Sequence, residues 1–390
     1  MGDIHKRIVS VASDPGSARA VIPVLRELSK RPVTIQPVVS GPAVQIFNTE
    51  LKNFSGHQVP DNIPIEDAVQ FLEGLCPNVL VTGAGAYNQA EHVFRLAARR
   101  KKLRSIAILD YWFEYEARFQ RDINGAIVKS YPDIVCALDE LSREGLIRAG
   151  LNPDQVVVTG GPNLEETLRW WQEIGTEKGD SFRIKYGITN PDDRIIVFFS
   201  EPYFTTPTGK PLTGPGGLFR SNGTPVFGYT APEILKMVID SLLKGVNNMH
   251  MHMNLLVKPH PLEWPDALYA EIERVQTEGL TAKLLLDANA KELIAISDAV
   301  IGMSSITLLE TALVGKPAVS VQIGLKASGS FDPCIGNTLG YTISIFDRET
   351  LGKAMKAICQ GEISSWQSEP IRRLNMIGAA ARVADVMLAE

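Results

Sequence analysis

Leu255-Leu256-Val257-Lys258-Pro259-His260-Pro261 and Ala299-Val300-Ile301-Gly302-Met303-Ser304-Ser305-Ile306-Thr307 decide how this chain is read. Each opens as a short uninterrupted apolar run, the mark of a strand buried on both faces of a sheet. The first passes into a loop where Pro259 and Pro261 fix the backbone around a histidine. The second ends on paired serines, and a helix follows from Leu308 to Val314 until Gly315-Lys316-Pro317 stops it. Hydroxyls and unpaired N–H groups at a strand end that opens a helix are where phosphate binds well. A histidine from a neighbouring strand end adds a group that can protonate a departing phosphate, so the pair points to chemistry on a nucleotide-activated substrate.

The same strand-then-helix rhythm extends in both directions. Arg7–Ser13, Val33–Val39, Val79–Thr82, Ser105–Leu109, Ile134–Leu138 and Val156–Thr159 read as strands, with helices at Ser17–Lys30, Ala43–Asn48, Ala90–Lys102 and Glu140–Gly150. After Asp192-Asp193 the rhythm restarts with strands at Ile195–Ser200, Met253–Lys258, Lys283–Leu286, Ala299–Gly302, Ala318–Gln322 and Tyr341–Ile345, and helices at Tyr229–Val246 and Pro265–Thr277. Short apolar strands interleaved with helices predict an α/β fold of two Rossmann-like domains. The predicted division is an N-terminal domain over 1–163, a linker over 164–191, a second domain over 192–365 and a C-terminal helix in 366–390. The linker stretch Asn163–Asp180 is polar and helical, and Gly175 to Gly179 reads as a hinge. Pro202 to Pro232 is dense in proline and glycine and long for a connection, either a flap or a mobile insertion. No internal repeat joins the halves.

Bulk properties narrow the class. At 390 residues, with 45% hydrophobic and 21% charged residues, the chain suits a soluble protein of two domains. A net charge of −5 argues against nucleic acid as the main partner. No apolar run reaches the ~20 residues that span a bilayer. The basic run Arg99-Arg100-Lys101-Lys102 with Arg104 reads as a helix end and allows at most peripheral membrane association. Cys76, Cys136, Cys334 and Cys359 are scattered, and the start runs straight into a strand, so reduced thiols and a cytoplasmic location are expected. His250 and His252 alternate without further ligands nearby, and no metal or other cofactor is expected.

Candidate site residues follow from strand ends. Ser304, Ser305 and Thr307 are placed to hold phosphate through hydroxyls and N–H groups, a role compatible with capping the helix. His260 would protonate the leaving phosphate, and Lys258 would add charge to it. Asp14, in Asp14-Pro15-Gly16-Ser17, follows the first strand and opens a helix, with Gly16 and Ser17 as further candidates. Asp110, beside the aromatic group Tyr111-Trp112-Phe113, ends another strand and competes with Asp14 as catalytic base; Glu201 is a third carboxylate at a strand end. Gly83-Ala84-Gly85-Ala86 reads as a turn that admits close approach.

Taken together, the layout resembles the GT-B glycosyltransferase architecture, in which two Rossmann-like domains face a central cleft. Gly302 to Pro317 is similar to that superfamily's nucleotide-binding segment, a strand ending in small residues followed by a helical glutamate and Gly-x-Pro. That likeness implies that Glu310 holds the ribose hydroxyls. Val158-Thr159-Gly160-Gly161-Pro162-Asn163 resembles the end of the first domain in bacterial nucleotide-sugar epimerases and transferases. His260-Pro261 with Ser304-Ser305 resembles the His-Pro and Ser-Ser motifs of bacterial sialyl-, polysialyl- and capsule transferases that use CMP-activated sugars.

Two departures are visible. The acidic pair followed by glycine usual in the first domain of those transferases is missing. Where nucleotide-sugar 2-epimerases carry an arginine-proline-glutamate turn and a histidine-arginine pair, this chain has Ser13-Asp14-Pro15-Gly16-Ser17 and Ser200-Glu201-Pro202. The resemblance implies a metal-independent glycosyltransferase of bacterial surface-glycan synthesis, with a nucleotide-sugar donor, a glycan or lipid-linked acceptor, inversion at the anomeric carbon and closure about the hinge near 175. It leaves oligomerisation open. The alternatives are a nucleotide-sugar 2-epimerase or hydrolase, a polyol-phosphate transferase, and a non-catalytic nucleotide-sugar-binding protein.

Overall fold

The computed structural model describes residues 5–51, 56–86, 88–123, 126–201, 219–220, 222–246, 252–260, 263, 265–277, 279–366 and 376–389. The chain divides into two units, Met1–Arg169 with Arg372–Glu390, and Trp170–Ile371.

The first unit contains β1 (Lys6–Ala12), β2 (Val33–Val39), β3 (His57–Gln58), β4 (Val79–Gly83), β5 (Arg104–Ile108), a hairpin of β6 (Gln120–Ile123) and β7 (Ala126–Lys129), then β8 (Ile134–Ala137) and β9 (Val156–Val158). The main sheet runs β3-β2-β1-β4-β5-β8-β9 with every pair parallel. Alternate residues of β1 serve opposite faces. Ile8 and Ala12 pack with the helices Pro15–Leu28 and Ala379–Leu388, whereas Val9 and Val11 pack with Ile65–Leu75 and Ala90–Lys101. Both faces are dry, which is why the strands are apolar throughout rather than alternating.

The second unit contains β10 (Arg194–Phe199), β11 (Met253–Lys258), β12 (Gln276–Thr277), β13 (Leu280–Leu284), β14 (Ala299–Gly302), β15 (Ala318–Val321) and β16 (Ile343–Ile345). Their order is β12-β13-β11-β10-β14-β15-β16, parallel except for β12 against β13. The helices Ala231–Val246 and Arg348–Gln360 bury Ile234, Leu235, Val238, Leu351 and Ile358 against β10, β11 and β14. In each sheet the order reverses once, between β1 and β4 and between β10 and β14. Ligands of open parallel sheets sit outside the carboxyl ends of the strands at such reversals.

Several expectations shift. The predicted linker 164–191 is for most of its length one helix, Pro162–Lys185, so Gly175 and Gly179 lie inside a helix and make no loop hinge. The helix expected over Pro265–Thr277 is Asp266–Glu273, and Gln276–Thr277 pairs with the next strand instead. That strand spans Leu280–Leu284 rather than Lys283–Leu286. The β6–β7 hairpin has no sequence signature because it is exposed, with Ile127 60% accessible. Most of Pro202–Pro232 lies outside the described residues, as does His250.

Candidate functional site

In the first unit, Asp14 leaves β1 as the N-cap of the helix Pro15–Leu28. Its carboxylate accepts from the Ser17 N–H at 2.8 Å, and Ser17 Oγ accepts from the Asp14 N–H at 3.1 Å. Across the reversal, Glu91 on the helix after β4 is fully buried and accepts from the Ser13 N–H at 2.9 Å, the Ser13 hydroxyl at 3.0 Å and the Gly85 N–H at 2.7 Å. One carboxylate thereby ties both strand ends together. Asp110, after β5, forms an ion pair with Arg118, a buried guanidinium that also donates to the carbonyls of Ala84 at 2.5 Å and Phe113 at 2.8 Å.

Two glycines let these groups converge. A Cβ on Gly16 would overlap Asp110 Oδ2, and one on Gly85 would overlap Asp14 Oδ2. Burial, then the Glu91 and Asp110 carboxylates, push Asp14 up to about 7, against the pull of the Ser17 N–H and Arg118. These surroundings favour the protonated form of Asp14 more than water does. Its Oδ2 accepts no hydrogen bond from any described residue, so it is available to a substrate proton.

In the second unit, Glu201 follows β10 and is 5% exposed. It accepts both the Ser304 N–H and, at 2.7 Å, the Ser304 hydroxyl, joining the carboxyl ends of β10 and β14 across the reversal. Beside it, the Ser200 hydroxyl donates to Glu263 and accepts from the His260 N–H at 3.1 Å. Burial, with the Glu201 charge adding to it, pushes Glu263 up to about 8. Burial and Lys258 together lower the His260 pKa and favour the uncharged ring. Lys258 Nζ donates to the carbonyls of Pro259 and Leu286, both at 3.1 Å. Ser305 caps the helix Ile306–Leu313 and accepts from the Thr307 N–H at 3.3 Å and the Thr307 hydroxyl at 2.9 Å.

The expected residues thus fall into two clusters. Asp14, Gly16, Ser17 and Asp110 meet in the first unit; Glu201, Lys258, His260, Ser304, Ser305 and Thr307 lie at the strand ends of the second, with Glu310 one turn into the helix. Among the described residues the Ser304 N–H and hydroxyl donate to Glu201, and the Thr307 N–H and hydroxyl donate to Ser305. The N–H groups of Ser305 and Ile306 have no acceptor among the described residues. Pro261 of the His-Pro pair lies outside the described residues.

Glu91, Arg118 and Glu263 escaped the sequence reading. Glu91 and Arg118 sit in helical stretches with nothing to distinguish them from solvated charges, although the paired glycines before Glu91 marked a close approach. Glu263, three residues after His260, was within reach of a strand-end argument. Trp112 is 1% exposed and donates to Asp139 at 2.8 Å, so it belongs to the core. The basic run also serves the fold: Arg99 donates to Lys129 O and Tyr131 O, both at 2.9 Å, while Arg100 and Lys101 pair with Glu66 and Glu73. Among the described residues no group of three His, Cys, Asp or Glu is placed to hold a metal, and no helix is long and apolar enough to cross a membrane.

No protein-family model matches the chain, and no curated protein does. Solved structures do. The UDP-GlcNAc 2-epimerase of Neisseria meningitidis, solved with UDP-GlcNAc, superposes with a TM-score of 0.66 at 12% identity over 98% of this chain and 99% of its own. The UDP-GlcNAc 2-epimerase of Methanocaldococcus jannaschii gives 0.67 at 12% identity over 98% and 100%. MurG of Acinetobacter baumannii gives 0.52 at 12% identity over 98% and 99%. The chain therefore has the GT-B fold, in the layout of the nucleotide-sugar 2-epimerases. At these identities the likeness is one of fold.

Proposed function

We propose that the protein is an enzyme acting on a nucleotide-activated sugar, and that it turns its substrate over without an acceptor, as an epimerase or hydrolase. The observation that carries this reading is Asp14, a carboxyl at the reversal of the first sheet with one oxygen that accepts no hydrogen bond from any described residue and a pKa raised by burial and by Glu91 and Asp110. Such a group can take a proton from a sugar carbon or from water, and return it, within one active site. Asp110 is held by Arg118 and is suited to shaping Asp14 rather than to moving protons itself. In the second unit the free N–H groups of Ser305 and Ile306, with the neutral His260 ring as proton donor or hydrogen-bond partner, would receive the nucleotide phosphate. Glu310 would hold the ribose.

Epimerisation or hydrolysis is favoured over transfer because two of the three structures compared are described as UDP-GlcNAc 2-epimerases. Transfer to a glycan or lipid-linked acceptor, with Asp14 deprotonating the acceptor hydroxyl, is the second reading, supported by the likeness to MurG. The experiment is to incubate the protein with UDP-, CMP- and GDP-linked sugars, with no acceptor, and to follow released nucleotide and changed sugar by proton NMR. Acceptor-free turnover supports the proposal. Turnover that starts only when a glycan acceptor is added supports transfer instead. Asp14→Asn should lower the rate by about 10²–10⁴, the usual worth of a positioned base.

A further inference from the structure

On the second unit, the helices Ala231–Val246 and Arg348–Gln360 turn their apolar faces to the sheet and leave a groove of about 540 Å³ between their outer faces. That is the size of a small-molecule site. No residue of either strand-end cluster lines it. Arg348, Gly352 and Lys356 recur every four residues and form one stripe of their helix, with the two cations two turns, about 12 Å, apart. The helices touch near their carboxyl ends, where a Cβ on Gly245 would overlap Cys359 Sγ, and this sets Lys244 across the groove from Lys356. Among the described residues Lys244, Arg348 and Lys356 pair with no carboxylate, whereas Lys353 on the same helix has Glu349 at 2.7 Å. The single carboxylate among the lining residues, Asp240, pairs with Arg274 at 3.4 Å.

Glycine weakens a helix interior relative to alanine, so each helical glycine asks for a reason. Gly245 has one in its contact with Cys359. Gly352 has no packing reason: a Cβ there would meet no atom within 4 Å, and its φ is not positive. What its missing side chain does is keep the groove open between Arg348 and Lys356. An exposed cation gains little from a single anion, because water screens the pair. A ligand that runs along the groove meets all three cations at once, and its second and third contacts then form within one complex. Phosphate oxygens suit both the arginine fork and the lysine point charges. We propose that this groove is a second ligand site that binds a linear chain of three or more phosphates, free or carried on a nucleoside. The inference does not depend on the activity proposed above.

Isothermal titration of the full chain at low ionic strength with orthophosphate, inorganic tripolyphosphate and UTP tests it. Tripolyphosphate should bind at least about tenfold tighter than orthophosphate, as contact with several cations requires. Gly352→Leu fills the groove and favours the helix; it should weaken tripolyphosphate at least about tenfold while the Tm stays or rises, and Gly352→Ala should keep the affinity within about threefold. Lys244→Ala and Lys356→Ala should each weaken it about two- to fivefold. His260→Ala, at the strand ends, should change nothing. Equal affinity for orthophosphate and tripolyphosphate overturns the proposal, as does no binding of either tripolyphosphate or UTP. Binding that survives Gly352→Leu also overturns it; if that binding is lost in His260→Ala, the phosphate chain sits at the strand ends instead. Where the Gly352-dependent affinities for tripolyphosphate and UTP are alike, the bare chain is the ligand; where UTP binds far more tightly, the chain is carried on a nucleoside.

Discussion

Asp14 shows how a residue's surroundings set its chemistry. Its folded pKa of about 7 lies well above the ordinary carboxyl value of 3.8, so the folded state holds its proton more tightly than the unfolded chain. The associated stability is full below pH ~4 and is lost as pH rises toward ~7. Asp14→Asn keeps a capping side chain but has no charge to bury. The variant should therefore match the wild type near pH 4 and exceed it above pH 7, by on the order of 2 kcal/mol, or several degrees in Tm. Melting curves at pH 4 and 8 check this, and an equal offset at both would deny that Asp14 titrates near neutrality. Gly85→Ala places a methyl on the Asp14 carboxyl and should cost about 1–3 kcal/mol in urea unfolding. A position that merely tolerates glycine would lose almost nothing.

Single elements were legible where burial on both faces imposed an uninterrupted apolar run. Met253–Lys258 and Ala299–Gly302 have the bounds that their sequences predict, since polar loops flank dry strands. Elements held by longer-range contacts were not legible. β12 consists of Gln276 and Thr277, which carry no strand pattern and pair only because β13 offers an edge. The helix Ala379–Leu388 reads as an amphipathic C-terminal helix, but no local signal says that it joins the first unit. Its attachment runs through Glu165, 1% exposed, which accepts from the N–H groups of Gly378 and Ala380, both at 2.8 Å. Gly378 supplies no capping side chain of its own. Glu165→Ala should thus leave two N–H groups without their acceptor, costing about 1–3 kcal/mol and exposing the helix to proteolysis. Unchanged urea stability and unchanged cleavage would mean that apolar packing alone holds it.

At the scale of the whole chain, the GT-B fold was readable from two strand-and-helix series and the segment Gly302–Pro317, because that architecture follows from burial pattern and chain order. The strand-end positions of the candidate residues were readable too. Strand ends nominated Asp14, Asp110, Glu201 and His260, since residues at the carboxyl ends of parallel strands line ligand sites. Their environments were not readable. That Glu91 would tie β1 to β4, or that Glu201 would take the Ser304 donors, depends on side chains about eighty and one hundred residues apart in sequence meeting across a sheet reversal.

The most direct test of the account is the pH dependence of kcat/KM for acceptor-free turnover of the preferred nucleotide sugar. With Asp14 as base, kcat/KM should fall about tenfold per pH unit below an apparent pKa near 7, and the residual rate of Asp14→Asn should lack that limb. A wild-type profile flat from pH 5 to 8, or an Asp14→Asn variant within about twofold of the wild type, would contradict it.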